Sequence, residues 1–198
     1  MDKTLPVYKL TINEDVESQV EVDAVALVDV PAIGEGFFAF NQQMSFAVVN
    51  EEERVVVGPA MIPDKPIFRI DADTGKEYYV YFPKESIKTI AEKFYRKGFQ
   101  NNGNEMHDGA KPVDMVFYMS WIADDSKGIP KMKQFENLPD GTWFLGAKIM
   151  SEDAWAKVKD GTFRGFSVEG EFNMTPLQMR SKEESIIDEL KDLLRDAI

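Results

Sequence analysis

The stretch from Gly141 to Phe172 constrains this chain more than any other, because it dictates strand, short helix, turn and strand in immediate succession. Trp143–Met150 mixes aromatic and β-branched residues in a run too short for a buried helix, which predicts a strand. Ser151 is a good N-cap, followed by Glu152 and Asp153 where the helix dipole favours negative charge. Trp155 and Val158 share one helical face, and Gly161 supplies a left-handed terminator. Phe163–Phe172 then extends again. Period-two alternation puts Phe166, Val168 and Phe172 on one side, and Gly165, Ser167, Glu169 and Glu171 on the other.

Ser167 thus stands on the polar face of a strand whose opposite face is apolar. Two readings follow: a serine on a solvated strand face, or a nucleophile acting from within a strand. The nucleophile elbow of the α/β-hydrolases is excluded, because Gly165-Phe-Ser167-Val-Glu169 carries glutamate where G-x-S-x-G needs its second glycine and no helix follows. A nucleophilic serine needs a general base, and histidine is the side chain poised for that task near neutral pH. The chain has one histidine, His107, within Asn104-Glu-Met-His107-Asp-Gly109. One histidine with no cysteine argues against a zinc site, and no cofactor is expected.

Around this stretch, Val7–Ile12 alternates as a strand. Val20–Val30 is apolar on both faces, which suits a central strand. Phe37–Phe40, Ser45–Val49 and Arg54–Ile62 are further strand candidates, the last kinked or bulged at Gly58-Pro59. Ile67–Ile70 and Glu77–Phe82 flank a turn-rich link and predict a β-hairpin. Pro83–Gly98 is the clearest helix, with Ile87, Ile90, Ala91 and Phe94 at helical spacing. Gln100–Pro112 is polar and Gly-containing and predicts a loop; Val113–Ala123 predicts a strand, and Asp124–Pro139 a loop with a lysine cluster.

After residue 173 the character changes. Residues 174–181 contain Pro176 and predict a linker between a domain at 1–173 and a charged amphipathic helix at 182–198. Ile187, Leu190, Leu194 and Ala197 form a narrow seam on that helix. Two heptads do not make an independent coiled coil, so the helix docks on its own domain or self-associates.

Composition excludes several function classes. The 198 residues carry a formal net charge of −12, which disfavours nucleic acid or an anionic membrane as partner, because phosphate contact needs a basic surface. No apolar run approaches a membrane-spanning length, and MDKTLPVYKL lacks a signal-peptide core. Zero cysteines exclude disulfides and thiol chemistry and fit an intracellular protein.

LPDGTWFLGAKIMSEDAWAKVKDGTFRGFSVEGEF, with VVVGPAMIPDKPIFRIDADTGKEYYVYFPKESIKTIAEKF and VDAVALVDVPAI upstream, resembles the XkdF-like phage serine proteases. These are distant relatives of phage prohead proteases and herpesvirus assemblin-like proteases. The resemblance spans roughly residues 20 to 173. It implies an α+β fold built on a mostly antiparallel, barrel-like sheet with a few packed helices. It also implies a capsid-maturation serine endopeptidase cleaving capsid and scaffold proteins inside the procapsid, in the host bacterial cytoplasm. The order His107 before Ser167 matches that family, with backbone N–H groups stabilising the oxyanion. Many prohead proteases carry an acid in a segment E-V-S-L-V-x-x-P-A; the nearest match is Ala24-Val-Ala-Leu-Val28-Asp-Val-Pro31-Ala32, with Ala24 at the glutamate position. Asp23 is taken as the third catalytic member, with Glu169 and Asp29 as alternatives. The competing expectation is a non-catalytic capsid-assembly or scaffolding protein with the same fold.

Overall fold

The computed structural model describes residues 5–13, 15, 21–29, 46–71 and 73–177. The strand expected at 37–40 and the helix expected at 182–198 lie outside the described residues. Among the described residues the chain forms strands β1 (Val7–Thr11), β2 (Val22–Val28), β3 (Ala47–Asn50), β4 (Val55–Met61), β5 (Ile67–Ile70) and β6 (Glu77–Tyr81). Helix α1 (Lys84–Arg96) follows, then β7 (Gly103–Glu105), β8 (Asp108–Val113), β9 (Met115–Ile122) and β10 (Trp143–Ile149). Helix α2 (Glu152–Lys159), β11 (Gly165–Gly170) and β12 (Asn173–Pro176) complete it.

These strands build three four-stranded sheets, in the orders β12-β1-β6-β5, β3-β4-β10-β9 and β11-β2-β7-β8. Pairing is antiparallel except for β1 with β6 and β2 with β7. The fold is therefore α+β and mostly antiparallel, as expected. The barrel is not: the sheets are open. A barrel requires an unbroken ring of hydrogen-bonded strands, whereas β11 packs beside β4 without a ladder joining them.

One core serves all three sheets and both helices. The apolar face of α1 supplies Ile87, Ile90 and Phe94, all fully buried. The Phe94 ring meets Trp143 edge-on at 5.7 Å between centroids, and Phe117 at 6.3 Å. Phe117 in turn meets Phe166 at 5.5 Å. This aromatic chain ties β11 through β9 to α1. Truncating a member such as Phe94 to alanine removes a large buried side chain and costs about 3–5 kcal/mol. The N-cap of α2 is Ser151, whose hydroxyl oxygen accepts the Ala154 N–H at 3.2 Å.

Three local features differ from or refine the expectation. The irregularity at Gly58-Pro59 is a bulge: Trp143 pairs with Met61 and Phe144 with Pro59, which leaves Ala60 unpaired. Residues 173–176, expected largely within a linker, form β12 and pair antiparallel with β1. Finally, much of the polar segment 100–112 is a hairpin, β7 with β8, rather than a loop.

Candidate active site

The site is built on one face of the sheet β11-β2-β7-β8. Val25, Leu27 and Phe166 turn into the core. The opposite parity carries Ser167, Ala26 and Asn104, which are register partners across three adjacent strands. Glu169 shares the face of Ser167, two residues along β11, and pairs with Ala24. Ser167 and Asn104 are each 5% exposed, so this polar row is buried rather than solvated.

Small residues on β2 make the arrangement possible. From β11 to β7 is two strand spacings, about 10 Å. Ala24 and Ala26 leave the space above β2 clear, and the Glu169 carboxylate crosses it. Its Oε2 accepts a hydrogen bond from Asn104 Nδ2 at 2.8 Å. Its Oε1 lies 2.8 Å from His107 Nδ1.

His107 reaches this position through a two-residue turn. Glu105 pairs with Asp108, leaving Met106 and His107 as the central pair, both with positive φ, +52° and +61°. Positive φ at both central residues is the mark of a type I′ turn, normally Asn-Gly or Gly-Gly. Here two side chains accept the left-handed conformation, which brings Cβ too close to the following carbonyl oxygen. The backbone is strained at the residue that carries the imidazole, a pattern typical of functional sites.

With Nδ1–H donated to Glu169, the other ring nitrogen, Nε2, is left as a proton acceptor. The His107 side chain is 40% exposed. No hydrogen bond joins the Ser167 hydroxyl to the ring in this structure, and catalytic contacts of this kind commonly tighten only on substrate binding.

The remaining carboxylates fall elsewhere. Asp23, the residue expected to orient His107, makes no hydrogen bond to it. Register runs Glu169 with Ala24 but Gly170 with Val22, so Asp23 is the extra residue of a β-bulge and is exposed. Partial burial raises the Asp23 carboxyl above its ordinary pKa, and the negative charges of Glu169 and Glu21 raise it further. Asp29 follows the far end of β2, past the Gly165–Val28 register pair. Glu169, an alternative from the sequence, is the carboxylate that meets His107. It lies directly across from Ala24, where the resembled motif carries its acid. Asn104 was not singled out from the sequence, because a hairpin without a glycine turn signal reads as a polar loop. Among the described residues no cluster of three or more His, Asp or Glu side chains is placed to hold a metal ion.

Ser167 and Glu169 also border a cavity of about 410 Å³. Its other walls come from β1, β4, β5, β6, β12 and the segments beside them, and they are mostly apolar.

A protein-family model described as "Putative phage serine protease XkdF" matches residues 44–175. No curated protein and no solved structure matches the chain.

Proposed function

This chain belongs to the XkdF-like phage protease family, and from that premise we propose that it is a serine endopeptidase of phage head assembly, acting through Ser167, His107 and Glu169. The single observation that carries the reading is the Glu169–His107 pair, braced by Asn104 on the sheet face that also bears Ser167. In this mechanism Ser167 Oγ attacks the scissile carbonyl carbon and His107 Nε2 takes the hydroxyl proton. Glu169 holds the ring in the tautomer that keeps Nε2 available and stabilises the imidazolium that forms. The imidazolium then protonates the leaving amine, and water hydrolyses the acyl-enzyme with His107 again as base. Substrates are capsid and scaffold proteins, and the site of action is the assembling procapsid.

The experiment is co-expression of the wild type, Ser167→Ala and His107→Ala with the cognate capsid and scaffold proteins, read by intact mass. Discrete products with the wild type alone support the protease. A second reading is a non-catalytic assembly protein, favoured by the absence of a Ser167–His107 hydrogen bond. It requires uncleaved masses and normal particles with all three chains.

A further inference from the structure

We propose that the cavity beside β11 is the subsite for an extended substrate peptide and takes a large apolar side chain next to the scissile bond. This deepens the protease reading and rests on Ser167 being the nucleophile.

Three observations carry it. First, among the described strands β11 pairs with β2 alone, so it presents an edge. A sheet edge displays unpaired N–H and C=O groups, and an extended peptide satisfies them by adding a strand. One end of this edge is already occupied, because Phe46 N–H donates to Arg164 O at 2.7 Å. Phe166 to Gly170, the part that borders the cavity, lies beyond that contact.

Second, Ser167 sits in the middle of that bordering segment. β4 packs beside β11, and the cavity opens where Ala60 and Met61 at the end of β4 face Phe166 to Gly170, so a peptide entering there carries its carbonyl groups past the serine. Alternate side chains of an extended peptide point to opposite sides, so one of them turns toward the cavity walls.

Third, those walls dictate what that side chain is. Met61, Val80, Phe82, Phe166, Phe172 and Met174 line the cavity. Its volume of about 410 Å³ falls in the range of ligand pockets, roughly 300–1,000 Å³. A Leu, Met, Phe or Tyr side chain replaces water against these walls. An Asp or Lys side chain gives up hydration for walls that are apolar apart from Arg69, Tyr78, Ser167 and Glu169, and is rejected.

The test incubates the full chain with peptides from a digested, denatured bacterial proteome and reads the new termini by mass spectrometry. A large apolar residue within two positions of each cut, enriched at least tenfold over Gly, Asp and Lys, is the expected result. Met174, which is 48% exposed at the cavity, provides the structural control. Met174→Glu is expected to leave the melting temperature unchanged and to lower cleavage of those peptides at least tenfold. Cuts with no apolar preference, or a preference indifferent to Met174→Glu, overturn the proposal while leaving the protease intact.

If the wild type makes no cuts, the protease reading fails and binding decides the groove separately. The probe is a fluorescein-labelled decapeptide with Leu-Phe-Leu at its centre, against one with Asp-Asp-Asp, measured by anisotropy. Binding at least tenfold tighter for the apolar peptide, and lost in Met174→Glu, supports the groove. Equal or absent binding overturns it.

Discussion

Glu169 and His107, 62 residues apart in the chain, meet at 2.8 Å between carboxylate Oε1 and ring Nδ1. The contact spans a strand, with β2 lying between them, and it holds because β2 presents alanine at 24 and 26. Anything larger at these positions obstructs the path from β11 to the β7–β8 turn.

Glu169→Gln keeps the shape of the side chain but lets its amide face Nδ1, which favours the wrong ring tautomer. On the precedent of triads disabled in this way, kcat is expected to fall roughly 10³–10⁴-fold, with the melting temperature little changed. Asp23→Asn is the control. Asp23 does not touch the ring, so its activity should stay within about threefold of wild type, a shift below 1 kcal/mol. Steady-state cleavage of one peptide by both variants checks the pair, and the reverse ranking would return Asp23 to the site.

Met106 holds a positive φ of +52° in the turn beside His107. Alanine normally stabilises relative to glycine, but a left-handed residue costs about 1–2 kcal/mol when it carries a Cβ. Met106→Gly is therefore expected to melt above Met106→Ala by a few degrees, about 1 kcal/mol. Thermal melts of the two variants settle the order, and a higher melting temperature for alanine would mean that the turn is not left-handed.

Gly170 closes the bulge at Asp23. A Cβ there would overlap Glu21 O and lie 2.8 Å from Val22 Cα, both backbone atoms. Gly170→Ala must move one strand against the other, and a loss of about 2 kcal/mol or more is expected. Gly109→Ala, with nothing within 4 Å of the added carbon, should fall within about 0.5 kcal/mol of wild type. Urea denaturation of both compares a required glycine with a dispensable one.

Asp124 bears on acid stability. Hydrogen bonds from the Lys127 ammonium and the Ser126 hydroxyl hold its carboxyl at about 2. A carboxylate depressed below its unfolded value, about 3.9, stabilises fully above that value and loses its contribution as pH falls through the folded one. Asp124→Asn should thus be less stable than wild type at neutral pH, with the gap closing between about pH 4 and pH 2. Melting temperatures across that range test it, and a gap that widens on acidification would be the wrong sign.

Much of this architecture was legible in the residues. The apolar spacing of Ile87, Ile90 and Phe94 marked α1. The hairpin of β5 and β6, the Ser151 cap and the alternation around Ser167 each left a local signature. The β7–β8 hairpin left none: Met106-His107 carries no glycine or asparagine to announce a turn, so Asn104 and His107 read as loop. The bulge at Asp23 was equally silent, because it exists only in the pairing of β2 with the distant β11, where the Glu21 carbonyl fills the space a side chain at Gly170 would need.

By itself, then, the sequence determined which residues face inward and the α+β class, and its quoted segments carried the resemblance to the family. The first two follow from periodicity and residue chemistry, which are local. Which carboxylate meets His107 was decided only by tertiary structure. Asp23 and Glu169 are equivalent acids on paper, and a bulge turns one out to solvent while two alanines clear the way for the other.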